Sequence, residues 1–310
     1  MKHVYIHIPF CKNICSYCDF CKMYHLPKFT ENYFEALKKE VEDSYMDELI
    51  STIYIGGGTP SCLTNEELDK LFNIVSIFKK STDCEFTFEC NPEDITEELI
   101  TYLIKNGINR LSIGVESFNK ENLEFMERKM DYKDLEEKLN MIRAKGINNI
   151  NLDLIYALPN ESLDTLKKDV KKLLKLNPEH ISTYSLIIEE DTKLKLNNTS
   201  YIDEELDAKM YDYICSKLKK NYTHYEVSNF AKEGFESKHN MAYWLNEEYY
   251  GFGLGASGYI NGFRYENTHN LNDYLEGEYH KEESLLSNEE IMEYEVILGL
   301  RMLKGINLQT

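Results

Sequence analysis

Val4-Tyr5-Ile6-His7-Ile8-Pro9-Phe10-Cys11, closed by Cys15-Ser16-Tyr17-Cys18, sets three cysteines directly after a short β-rich run. The spacing is C-x3-C-x2-C, so one irregular loop can present three thiolates to a single centre. Eight cysteines scattered at random over the chain would give this pattern in roughly 0.005 places. Three thiolates leave one iron of a cubane without a protein ligand. The amino and carboxylate groups of S-adenosylmethionine (SAM) can chelate that open iron. Electron transfer to the sulfonium then breaks a C–S bond and gives a 5′-deoxyadenosyl radical, chemistry that belongs to the cofactor while the protein orients it. A structural zinc site is the rival. Zinc takes four closed ligands, and Cys21, His25 or His7 is available as a fourth.

Outward from this loop, short β-rich runs alternate with longer amphipathic ones. The strands are expected at Val4–Ile8, Thr52–Ile55, Glu85–Glu89, Arg110–Val115, Asn151–Ile155 and Ile181–Leu186. Helical periodicity falls between them, at Glu31–Met46, Asn65–Lys79, Thr96–Lys105, Tyr132–Lys145 and Ser162–Leu176. Thr64 ahead of Glu66 and Glu67 suits a helix start, and Gly107 and Gly146 suit helix ends. Six βα repeats imply parallel strands with right-handed crossovers, as an open doubly wound sheet or a partial barrel. Gly56, Asn91 and Glu116 follow their strands, at the carboxyl ends where both architectures bind ligands. After about Leu194 the rhythm changes. A helix near Glu204–Lys220 precedes a Tyr-, Gly- and Asn-rich segment, read as irregular to about Asn272. An amphipathic stretch from Asn288 to Leu303 leads to Gly305-Ile306-Asn307-Leu308. The division expected is 1–195 for the core and 196–310 for an irregular and helical extension.

The chain has 310 residues, 42% hydrophobic and 29% charged, which fits a globular protein with a sizeable core. Its formal charge of −19 argues against tracking a nucleic-acid backbone. Lys167, Lys168, Lys171 and Lys172 read as a solvated helix face. No apolar run is long enough for a transmembrane segment and the start lacks a signal peptide's h-region, so a cytoplasmic location is expected. Clustered cysteines in a reducing compartment bind metal more often than they pair. Cys62, Cys84, Cys90 and Cys215 are scattered and read as ordinary thiols.

Further motifs follow the strands. Ile55-Gly56-Gly57-Gly58-Thr59-Pro60-Ser61 brings backbone within reach of a ligand without side-chain clash. Glu89-Cys90-Asn91-Pro92 ends the third strand and Gly114-Val115-Glu116-Ser117-Phe118 the fourth. Asp153 lies among apolar neighbours, where an unpaired carboxylate is costly and asks for a partner. Together with Tyr5-Ile6-His7-Ile8-Pro9-Phe10-Cys11 and Cys18-Asp19-Phe20, these motifs strongly resemble oxygen-independent coproporphyrinogen III oxidase-like radical SAM proteins over nearly the whole chain. The resemblance implies an α/β fold, a partial (β/α)6 TIM-like radical SAM barrel with its cluster at the carboxyl-end mouth. It implies Cys11, Cys15 and Cys18 as ligands of a [4Fe–4S] cluster. It implies SAM contacts from Tyr5, Tyr17, Gly57, Gly58, Thr59, Glu89, Glu116, Arg128, Asp153 and Ile187. The family usually has Gln at the place of Glu116, so this chain keeps an acceptor there but loses a donor and adds a charge.

The family has an oxidase branch, which decarboxylates two propionates of coproporphyrinogen III, and a haem-chaperone (HemW-type) branch. Phe20 stands where the oxidases carry a further cysteine, and Cys11 lies close to the start, as in the chaperone branch. His239-Asn240-Met241-Ala242-Tyr243-Trp244 matches that branch's HNxxYW motif. Imidazole is a common axial ligand of haem iron, which makes His239 the haem candidate. The resemblance therefore implies a haem chaperone with a haem-accepting client and an electron donor as partners. The oxidase, in which the same machinery is an enzyme, is the alternative. Family members continue into a small C-terminal helical domain, so a truncated end is expected.

Overall fold

In the computed structural model, which describes residues 1–307, a twelve-stranded sheet carries helices on one face. Leu308, quoted above, lies outside the described residues. The six expected central strands are present: β1 (Lys2–Ile8), β2 (Leu49–Gly57), β3 (Lys79–Cys90), β4 (Arg110–Glu116), β5 (Asn149–Tyr156) and β6 (His180–Ser185). They are parallel and adjacent in chain order. Helices α1 (Pro27–Ser44), α2 (Asn65–Val75), α3 (Glu97–Lys105), α4 (Tyr132–Ala144) and α5 (Leu163–Leu176) form the crossovers. Thr64 caps α2 in a full capping box with Glu67, and Gly107 and Gly146 take positive φ just past α3 and α4. Pro27 opens α1 one turn before the expected start, because a missing N–H costs nothing there.

Side chains on the central strands alternate with unusual strictness. Val4, Ile6 and Ile8, then Ile53 and Ile55, Phe86 and Phe88, Leu111 and Ile113, and Ile150, Leu152 and Leu154 pack under the helices in one core. The opposite face carries His3, Tyr5 and His7 on β1, Thr52 and Tyr54 on β2, and Glu85, Thr87 and Glu89 on β3. It continues with Arg110 and Ser112, Asn151 and Asp153, and His180, Ser182 and Tyr184. Residues of β2 through β6 line one cavity, so the sheet curls around a polar lumen.

The segment after the core is a correction to the irregular reading. It follows helix α6 (Glu204–Leu218) and folds as β7 (Thr223–Glu226), β8 (Asn229–Ala231), α7 (Lys238–Trp244), β9 (Tyr249–Phe252), β10 (Ser257–Ile260) and β11 (Phe263–Asn267). Beyond it lie β12 (His280–Leu285) and α8 (Asn288–Gly299). β8 pairs with β6 and β9 with β1, so this region lengthens both edges of the same sheet. Strands of three to five residues show too few alternations to be read by period. Among the described residues, no helix is long and apolar enough to cross a membrane.

Candidate functional site

The cluster loop hangs from the carboxyl end of β1 and is held by backbone. Met23 N–H donates to the Pro9 carbonyl (2.7 Å) and His25 N–H to that of Cys11 (2.9 Å). Ser16 fastens the middle through its hydroxyl, which donates to the Phe125 carbonyl (2.8 Å). Cys11, Cys15 and Cys18 are free thiols that line the same cavity mouth, and the electrostatic fields of the three reach one another. Burial pushes Cys18 up to about 11 and raises Cys11. Thr59 Oγ1 donates to Cys11 Sγ (3.5 Å), and Arg128 Nη1 approaches Cys15 Sγ (3.7 Å).

None of the extra zinc ligands joins them. Cys21 turns away, with its Sγ 3.2 Å from where a Gly255 side chain would begin. His7 Nε2–H donates to the Cys21 carbonyl (2.7 Å), which leaves Nδ1 to accept from the Tyr5 hydroxyl (3.0 Å). His25 pairs with Glu67 (2.9 Å). Among the described residues no three His, Cys, Asp or Glu side chains converge tightly enough to share one ion. Three free thiols at one mouth, with Cys21, His7 and His25 engaged elsewhere, suit a cubane with one open corner better than a closed four-ligand zinc site.

The glycine loop sits beside the cysteines because Gly58 N–H donates to the Ile8 carbonyl and Thr59 N–H to that of Phe10, both at 2.8 Å. Its glycines are required first by the protein itself. A Cβ on Gly56 would lie 2.7 Å from the Glu89 carboxyl carbon, and one on Gly57 would lie 2.6 Å from the His7 ring. Glu89 accepts from the Tyr54 hydroxyl (2.6 Å) and from Gly57 N–H (3.0 Å). Desolvation inside the lumen pushes its carboxyl up to about 7. Glu116 also rises to about 7, by burial against the opposing pull of Arg128, and it holds a left-handed backbone at φ +66°. Such a conformation in a non-glycine residue costs energy and clusters at functional sites. Arg128 is fixed by Asn91 Oδ1 (2.9 Å) and by the Gly114 carbonyl. Asp153 accepts from Asn151 (2.8 Å) and Ser112 (3.3 Å), and burial raises its carboxyl too.

The cavity, about 400 Å³, thus brings together Cys11, Cys15, Cys18, Tyr17, Gly57, Gly58, Thr59, Glu89, Glu116, Arg128, Asp153 and Ile187. Ile187 stands at the rim, 62% exposed. Tyr5 and His239 do not line it. Tyr5 packs behind, against Tyr54 and His7. His239 is 1% exposed at the base of the lumen, on α7. Both its ring nitrogens are engaged, Nδ1 with the Thr52 hydroxyl and Nε2 with that of Tyr243, each at 2.7 Å. As folded, the ring has no lone pair to offer a haem iron. Thr52 also bonds His3, and Glu85 accepts the N–H groups of Lys238 and His239, so α7 plugs the base of the lumen. Tyr54, Arg110, Ser112, Asn151, Ser182 and Tyr184 line the cavity as well. Sequence reading passed over them, although a polar residue at every second position of an otherwise apolar strand is the signal that finds them.

The model of the radical SAM superfamily matches residues 5–173. The chain belongs to that superfamily. Membership implies a [4Fe–4S] cluster and SAM. Curated relatives similar to it include the haem chaperone HemW of Lactococcus lactis, 41% identical over 97% of this chain and 82% of that one. Another is the haem chaperone HemW of Bacillus subtilis, 39% identical over 99% of this chain and 85% of that one. Among solved structures, coproporphyrinogen III oxidase (HemN) of Escherichia coli superposes with a TM-score of 0.87 over 96% of this chain and 75% of that one. At 23% identity that likeness shows the radical SAM fold alone.

Proposed function

We propose that this radical SAM protein is a haem chaperone that holds a [4Fe–4S] cluster on Cys11, Cys15 and Cys18, binds SAM beside it, and passes haem to client proteins. One observation supports the cofactor part most: three unpaired thiols, with no fourth ligand among the described residues, at the rim of a polar lumen. Cluster and SAM, when bound, supply one-electron reduction of a sulfonium, with the electron drawn from an external donor. The chain's own part is positioning. Gly57, Gly58 and Thr59 offer backbone at the mouth. Glu89, Glu116 and Asp153 offer acceptors for an ammonium and a ribose diol, and Tyr17 and Ile187 offer apolar cover. Arg128 holds a fixed positive charge 3.7 Å from the Cys15 sulfur. The names of the relatives favour haem delivery over decarboxylation. Haem titration followed by the Soret band, paired with a decarboxylation assay on coproporphyrinogen III under reducing conditions with SAM, tests the reading. Stoichiometric haem binding without turnover is expected, and robust conversion to protoporphyrinogen IX overturns it.

A further inference from the structure

Among the described side chains that line the cavity, Arg110 alone keeps a buried nitrogen or oxygen without a hydrogen-bond partner. Asn151 is saturated: its amide donates to Ser112 and Asp153 (both 2.8 Å), and its oxygen takes bonds from His180 (2.6 Å) and Ser182 (3.1 Å). Arg110, 1% exposed, has five N–H donors and a single long bond, 3.5 Å from Nη1 to Thr87 Oγ1. Its Nε has no partner at all, and the side chain lines the cavity. No carboxylate among the described residues forms an ion pair with it. Glu89 and Asp153 are near enough to feel its charge but are bonded to Tyr54, Gly57, Asn151 and Ser112 instead. A buried, unpaired cation is costly to folding, so its five donors call for a partner.

We propose that the lumen beneath the mouth is a subsite for a carboxylate, received by the guanidinium of Arg110. A planar fork of N–H donors matches a carboxylate. A single positive charge flanked by two acids suits a monoanion better than a doubly charged phosphate. Two sources carry this chemistry, a free short-chain carboxylate and a carboxylate arm of a larger ligand. Only the second source rests on the haem reading above.

Thermal unfolding of the full chain and of Arg110→Gln and Arg110→Lys, in sodium propionate against sodium chloride of equal ionic strength, tests the site. Propionate is expected to raise the wild-type Tm, with a midpoint at least tenfold higher in Arg110→Gln. Without propionate, Arg110→Gln is expected to melt no lower than wild type. Equal propionate curves overturn the proposal. So does a ligand-free Arg110→Gln that melts well below wild type and is restored by Arg110→Lys, since that marks an internal counter-ion. Soret titrations with haem and haem dimethyl ester separate the sources. An ester at least tenfold weaker on wild type, and no weaker than haem on Arg110→Gln, assigns the carboxylate to haem. Haem and ester binding alike, with the propionate effect intact, assigns it to a free carboxylate. Absence of any haem binding removes the haem reading and leaves Arg110 to the propionate result.

Discussion

At the base of the lumen His3, Thr52, His239 and Tyr243 form a chain in which each ring nitrogen of His239 has a partner, and Glu85 ties in two backbone N–H groups. At the mouth Glu89 and Glu116 are pushed up to about 7, Glu116 takes a left-handed backbone, and three thiols stand free. Both ends are polar and both are lined by the same strands. They differ in where the bonding capacity goes. The base spends it on protein partners and acts as a seal. The mouth keeps acceptors and thiols for something else, and the protein tolerates raised carboxyls and strain there. Ordinary (β/α) barrels fill their interiors with branched apolar side chains. Here the same positions carry His, Thr, Glu, Arg, Ser and Asn, which leaves room for a ligand.

The largest expected effect breaks the mouth alone. Cys15→Ala should take bound iron after anaerobic reconstitution from about four per chain to near zero. The Tm of the metal-free protein should stay within about 2 °C of wild type, because this half-buried thiol packs little. A collapse of the metal-free fold would show that the loop is structural.

The pH dependence sharpens the contrast, because the two ends carry opposite signs. Carboxyls raised at the mouth bind protons more tightly folded than unfolded. Their stabilisation is therefore full below about 4.5 and lost as pH rises through about 7. Histidines buried at the base, His180 and His239, are held well below their ordinary 6.5, chiefly by burial, so their contribution is lost as pH falls below 6.5. Glu89→Gln should flatten the loss between pH 4.5 and 7 by about 2–3 kcal/mol in urea unfolding. An unchanged slope would place the titration elsewhere.

His239→Ala should cost about 2 kcal/mol of stability at pH 7, by leaving the buried Thr52 hydroxyl short of a partner and a cavity under Tyr54. Its SAM affinity should stay within about threefold of wild type. Equal losses of SAM binding in His239→Ala and Glu89→Gln would merge the two ends into one site. The smallest effect is expected from Tyr54→Phe, which removes the hydroxyl bonded to Glu89 and should weaken SAM binding about fivefold, near 1 kcal/mol.

The central strands were legible because their helix-facing residues form unbroken apolar series such as Val4, Ile6, Ile8. The cysteine loop and the glycine loop were legible because their residue types are rare and their spacing is tight. The C-terminal strands were not, since β8 has three residues and β9 and β10 four each. Arg110 was passed over for a different reason. A cation at the first position of a strand looks like a solvated end, and only the curl of the sheet buries it. His239 was singled out from its motif, yet its environment depends on Thr52, which lies 187 positions away in the chain and which no local pattern reveals.

Electron paramagnetic resonance of the reconstituted, reduced protein, with and without SAM, bears most directly on the three-thiol cubane. A reduced-cluster signal that changes shape when SAM is added, and does not change with the sulfonium-free S-adenosylhomocysteine to the same extent, is the expected result. A signal indifferent to SAM, or a protein that takes up zinc and no iron, contradicts the account.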